Sequence, residues 1–221
     1  MNSIPSLASA DYGMGQMVLE SVRAISNPSN ESLDGLKGRN SSGFVYRMPE
    51  AADLPAFLKE LSASKGTSKR LPVMAYSRAR GITTLDPSEA VNVQGLQTFN
   101  EAALSHAKIS VTWLEMSYAI YAIATEREAV ETLMMGWHFY VANKRENHQH
   151  ITMKLMVGDK EHTATGFLID PKSLFAADIS MPEQKIFGLR ADVTVHVPCL
   201  YGHIIDAPED IRIGFDILQV D

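Results

Sequence analysis

Leu189, Ala191, Val193, Val195 and Val197 alternate with Arg190, Asp192, Thr194 and His196. Only an extended chain with one buried face satisfies that period of two. A longer run, Ile109 to Ile123, is apolar on both sides, with Leu114, Met116, Tyr118 and Ile120 on one face and Trp113, Ala119 and Tyr121 on the other. Such a strand has to be covered on both faces for part of its length. Ile151, Met153, Leu155 and Val157 alternate in the same way, Gly158-Asp159 marks a turn, and His162 to Leu168 supplies the returning strand of a hairpin. These runs demand a sheet in which most neighbours are antiparallel.

Two helices are predicted to pack on it. One runs from about Ala52 to Ser62, with Leu54, Phe57, Leu58 and Leu61 on one side. The other starts at Thr125-Glu-Arg-Glu128, a capping box, and buries Val130, Leu133, Met134, Trp137 and Tyr140 before Asn143-Lys-Arg-Glu-Asn closes it. Phe44 to Met48 reads as a short strand ended by Pro49, and Leu71 to Tyr76 as another with Pro72 at its start or on an edge. The fold class expected is α+β: a largely antiparallel sheet with two main helices packed on it, plus an extended N-terminal arm.

That arm covers residues 1–43, where Ser, Asn and Gly gather around one short helical pattern of Met14, Val18, Val22 and Ile25. Asn27 to Gly43 reads as an exposed linker or a segment that orders on a partner. The domain proper is expected over residues 44–221. Within it, Arg78 to Lys108 shows no strong period and is expected to form a loop. Ordered loops rarely exceed about 12–15 residues unless they serve a function. Ile82, Leu85, Val91, Val93, Leu96 and Phe99 are apolar residues that a solvent loop would not need. Together with Arg78 and Arg80 at the base of the segment, Ile82, Leu85, Leu96 and Phe99 are therefore candidates for an interface. Ile211, Ile213, Phe215 and Ile217 alternate with Arg212, Gly214 and Asp216 beyond Pro208. They make a second candidate, a strand able to join its own sheet or the edge of a neighbour's.

Chemistry is hard to find. The 221 residues carry a formal net charge of −6, so no global basic field favours nucleic acid or an anionic membrane. No apolar run reaches the length of a bilayer span and Met1-Asn-Ser-Ile-Pro lacks the blocks of a secretory signal, which predicts a soluble, unprocessed chain. The single cysteine, Cys199, excludes an internal disulfide and a cysteine-rich metal cage. Gly13-Met-Gly-Gln16 lacks the Gly-Lys-Ser/Thr of a phosphate loop and reads as the flexible start of a helix. Ser62-Ala-Ser-Lys65 matches Ser-x-x-Lys without the companion motifs of that chemistry. His148-Gln-His150 has the spacing of a strand-borne metal pair but no third ligand nearby. Asp206, Glu209 and Asp210 form an acidic loop around Pro208, Asn30 and Asn40 sit in chance glycosylation matches, and the aromatic residues read as packing. Cys199 between His196 and His203 invites a thiolate reading, although Pro198 interrupts the geometry and His196 lies on the polar face of its strand. No catalytic, cofactor-binding or metal-binding residue is assigned.

Three blocks, in order, resemble one family. Phe44-Val-Tyr-Arg-Met-Pro49 before a helix, followed by Leu71-Pro-Val-Met-Ala-Tyr-Ser77, is similar to the opening strand, helix and second strand of the tail sheath stabiliser, or tail completion, proteins of contractile-tailed bacteriophages. Trp113 to Glu128, running from a long strand into a capped helix, resembles the family's central block. Ile151 to Met156, then Leu189 to Val197 and Pro198-Cys-Leu-Tyr201, resemble its closing strands. The resemblance covers about residues 44 to 201 and implies a structural virion protein rather than an enzyme. It also implies a homo-oligomeric ring, hexameric in that family, on the head-proximal end of the tail. The ring would terminate the tube or sheath and join it to the neck, with DNA only passing through the bore, no membrane partner and no cofactor. The chain would reside in the host cytoplasm during assembly and in the virion afterwards. The chain lacks a large extra domain found in that family and adds its own Ser/Asn-rich arm. The competing readings are a head-to-tail connector, a tube terminator, an adaptor in a non-phage contractile injection machine, and a small cytosolic enzyme using Cys199 with a nearby histidine.

Overall fold

The computed structural model describes residues 6–25, 33, 36, 43–48, 55–58, 71–85, 98–100, 105–146, 151–157, 160–168 and 177–205. Its centre is a pair of long antiparallel strands, β4 (Ser105–Ala124) and β8 (Phe187–Ile205), joined in unbroken register from His106 opposite Ile205 to Ala124 opposite Phe187. At about 3.4 Å per residue the pair is roughly 65 Å long. Around it the sheet runs in the order β1 (Val45–Arg47), β2 (Val73–Thr84), β4, β8, β6 (Lys160–Leu168), β5 (Ile151–Val157). β3 (Thr98–Asn100) lies on β4, and β7 (Ala177–Asp178) lies on β8. Only β1 and β2 are parallel among these pairings, so the chain is α+β with a mostly antiparallel sheet, as the alternation predicts.

Two helices cover one face: α1 (Ser6–Ala24) and α2 (Arg127–Glu146). Under them Met116, Tyr118, Ile120 and Ala122 of β4 meet Ala191, Val193, Val195 and Val197 of β8, with Met14 and Val18 from α1 and Leu133, Met134 and Trp137 from α2, all buried in one cluster. The opposite face is covered at one end, where Val73, Ala75 and Ile123 pack with Met48, Phe57 and Leu58. This is the two-sided burial that the β4 sequence demands. Residues 55–58 are helical, and the rest of the helix expected over 52–62 lies outside the described residues.

Four expectations need correction. Ser6–Ala24 is not part of a detached arm: Ala10, Met14, Met17, Val18 and Val22 are core residues, so α1 is one of the two main helices on the sheet. Gly13 and Gly15 are not a flexible start but lie inside α1. A Cβ on Gly13 would stand 2.6 Å from the carbonyl oxygen of Thr152 in β5, which means glycine is what lets the helix come this close to the sheet. Gly13→Ala should therefore destabilise the protein by about 1–3 kcal/mol through overpacking, against a helix-propensity gain of about 1 kcal/mol. A rise in melting temperature would show that the contact yields.

The segment 78–108 is not a single loop. β2 continues to Thr84, Leu85 N–H donates to Trp113 C=O at 2.9 Å, β3 pairs with β4, and β4 already begins at Ser105. The alternation is hidden by a bulge in which Ala79, Arg80 and Gly81 stand opposite Ser117 alone. Lastly, Thr125 is not the helix cap. The Val130 N–H bonds to Glu126 C=O at 3.3 Å, so the first acceptor, and with it the cap position, belongs to Glu126.

Candidate functional site

Asp11 is a carboxylate on the buried stripe of α1, with 3% of its side chain exposed. An ion there has to be paired, and the sheet supplies the partners. Tyr118 of β4 donates its hydroxyl to Oδ1 at 2.9 Å. Arg78 of β2 reaches Oδ2 at 3.2 Å and also donates to the Leu7 carbonyl at 3.4 Å. Arg47 of β1 closes an ion pair on Oδ2. One side chain of α1 is thereby tied to three neighbouring strands. Arg78 touches both oxygens, so three donors make four contacts on the carboxylate, close to its acceptor capacity, and the cluster works as a clamp.

The tyrosines record the same environment. Burial, reinforced by the Asp11 charge and the hydrogen bond to it, pushes the Tyr118 hydroxyl far above the ordinary phenol range. Burial also raises Tyr76, opposed by Arg47. A phenol whose folded pKa lies above its unfolded value contributes stability that is fully present below the unfolded pKa and is lost above it. Unfolding free energy should consequently fall as pH rises beyond about 10, and Tyr118→Phe should make that fall shallower. Urea titrations at pH 9 and pH 11 check this, and equal stabilities at the two pH values would contradict it.

The second face carries separate polar pairs on β4 and β8. His196 Nε2 lies 3.2 Å from Glu115 Oε2, Ser117 Oγ lies 3.4 Å from Thr194 Oγ1, and Arg190 binds its strand neighbour Asp192 at 2.9 Å. This places His196 away from Cys199. In an unbroken strand residues three apart point to opposite faces, so the imidazole and the thiol are on different sides of the sheet. The His196 imidazole is therefore out of reach of the Cys199 proton.

Pro198 lies within β8. It sits opposite Trp113, whose carbonyl is bonded to Leu85 on the other side of β4. The Trp113–Pro198 pair is therefore a non-hydrogen-bonded one, and the missing N–H of proline points away from β4 at no cost to the ladder.

The interface candidates separate. Arg78 belongs to the Asp11 clamp, with 10% of its side chain exposed, and so is not a surface residue. Arg80 and Ile82 are exposed on β2, and Leu85 is half-buried at its end. Phe99 lies in β3 opposite His106. Leu96, Ile211, Ile213, Phe215 and Ile217 lie outside the described residues, as do His148, His150, Ser62, Lys65, Asp206, Glu209 and Asp210. Among the described residues no three His, Cys, Asp or Glu side chains gather as a metal site, and no helix is long and apolar enough to cross a membrane. Asp11 itself was missed by the sequence reading. Its signal was a lone acid on the same helical stripe as Met14 and Val18.

A different surface feature is a groove of about 690 Å³ beside α2, lined by Ile25, Met135, Phe139, Glu128 and Glu131 among others. No family model matches the chain, and no curated protein matches it.

Proposed function

We propose that this chain is a structural subunit that assembles into a closed homo-oligomeric ring at the head-proximal end of a phage tail, ending the tube or sheath and joining it to the neck. The observation that carries the reading is the form of β2. Its six residues from Ala79 to Thr84 are all exposed, although they remain in the sheet with β4. A solitary subunit gains nothing from a strand standing in solvent, whereas an assembling one uses such a ribbon as its contact. The resemblance supports the same reading, because its blocks fall on β1, β2, β4, α2, β5 and β8, which pack as one sheet-and-helix unit.

The mechanism follows from symmetry. A tail grows through heterologous contacts that never close, and a ring that copies one growing face while omitting the other stops addition. A formal charge of −6 per subunit gives DNA no electrostatic reason to adhere while it passes through the bore. No step needs a nucleophile or a proton carrier, and the Asp11 clamp fits the demand for a rigid subunit.

Gold-labelled antibody against the chain should decorate the junction of head and tail in intact particles, and particles lacking the chain should carry tails that are over-long or detached from heads. Label distributed along the tail, or normal particles without the chain, would contradict the reading.

A further inference from the structure

We infer that the ring is closed by insertion of the β2 ribbon of one copy, through Arg80 and Ile82, into the groove beside α2 of the next copy; the inference rests on the ring reading above. Two exposed features among the described residues have complementary chemistry. Among the described residues three large apolar side chains are markedly exposed, and two of them mark these places: Ile82 at 37% on the ribbon and Phe139 at 62% in the groove. The ribbon offers an apolar residue beside a cation and carries no acid between Ala79 and Thr84. The groove offers Ile25, Met135 and Phe139 for the apolar residue and the Glu131 carboxylate for the cation, with no basic side chain in its lining. Glu131 already accepts from Arg127 at 2.9 Å, and a carboxylate has further acceptor sites for a second guanidinium.

The placement excludes self-satisfaction. The ribbon begins at Arg78, which is bonded to Leu7 and Asp11 near the start of α1, while the groove lies at the other end of that helix, at Ala24 and Ile25. The helix between Leu7 and Ala24 is about 25 Å long. A ribbon held rigidly in β2 therefore cannot turn into its own groove, and a second copy can receive it. The contact joins different patches on the two copies, so it is heterologous and propagates from copy to copy until rotation closes the ring. The bulge at Ala79–Gly81 is what re-aims the strand. Nothing lies within 4 Å of where a Gly81 Cβ would be, so the ribbon has open space around it for an incoming surface.

The test uses the full chain and reads assembly by light scattering over a concentration series, with circular dichroism melts to verify folding. Arg80→Glu and Glu131→Arg should each raise the concentration needed for assembly by about tenfold or more, through like-charge contact, and the two together should restore it. In a Cys199→Ser background, Ile82→Cys with Phe139→Cys should yield a covalent ladder of linked subunits on oxidation with diamide. A parent protein that forms rings while both single variants assemble normally and no ladder appears overturns this contact and leaves the ring reading standing. A parent protein that stays monomeric at every concentration overturns both.

Discussion

Asp11→Ala is expected to cost about 3–5 kcal/mol of folding stability, the usual penalty for removing one partner of a buried ion pair. The loss comes from the groups left behind. The Arg78 side chain is 10% exposed and cannot rehydrate without opening the α1–sheet interface, and Tyr118 is 1% exposed and loses the acceptor of its hydroxyl. Arg47 is different, since 52% of its side chain already faces water. Arg47→Ala should cost less than about 1 kcal/mol. Because the three partners share one carboxylate, Asp11→Ala combined with Arg78→Met should cost clearly less than the two single changes added together. Urea unfolding of the four proteins measures this. An Asp11→Ala protein within about 0.5 kcal/mol of the parent would mean that α1 is not held by the clamp.

Trp137→Ala should cost about 3–5 kcal/mol, the range for truncating a large buried aromatic residue. The indole is 1% exposed in the cluster that joins both helices to β4 and β8. Its Nε1–H is buried and finds no acceptor among the described residues, so it contributes volume and contact rather than a hydrogen bond. Trp137→Phe, which removes the unsatisfied donor along with part of the ring, should consequently lose far less than Trp137→Ala. A Trp137→Ala protein that melts like the parent would place this stripe against solvent or a partner instead of the core.

The alternating strands were legible because burial of one face imposes a period of two, and Leu189 to Val197 and Ile151 to Val157 obey it without interference. α1 was only half legible. Its stripe of Met14, Val18, Val22 and Ile25 was visible, but the Ser/Asn/Gly-rich stretch from Ser26 to Gly43 beside it gave the whole region the composition of a loose arm. Gly13 and Gly15 added to that impression, although close approach to β5 and β2 is what excludes larger side chains at those two positions. β2 beyond Arg78 was misread because a bulge shifts the alternation, and because an exposed ribbon has no buried face to impose one. The Asp11 clamp could not be assembled from the sequence, since Arg78 and Tyr118 are 67 and 107 residues away from it along the chain. Only the sheet order brings them together. The enzyme reading drew on the closeness of Cys199 and His196 in sequence, and the pleat puts those two on opposite faces.

The most direct test of the structural reading is the mass of the purified chain in native mass spectrometry at near-neutral pH, together with electron images of the same sample. A subunit that terminates a tail should appear as a single closed species at a fixed multiple of 24.3 kDa, six-fold by the family resemblance, with annular particles in the images. A sample that remains at the mass of one chain across all concentrations, with no annular particles, would contradict the account.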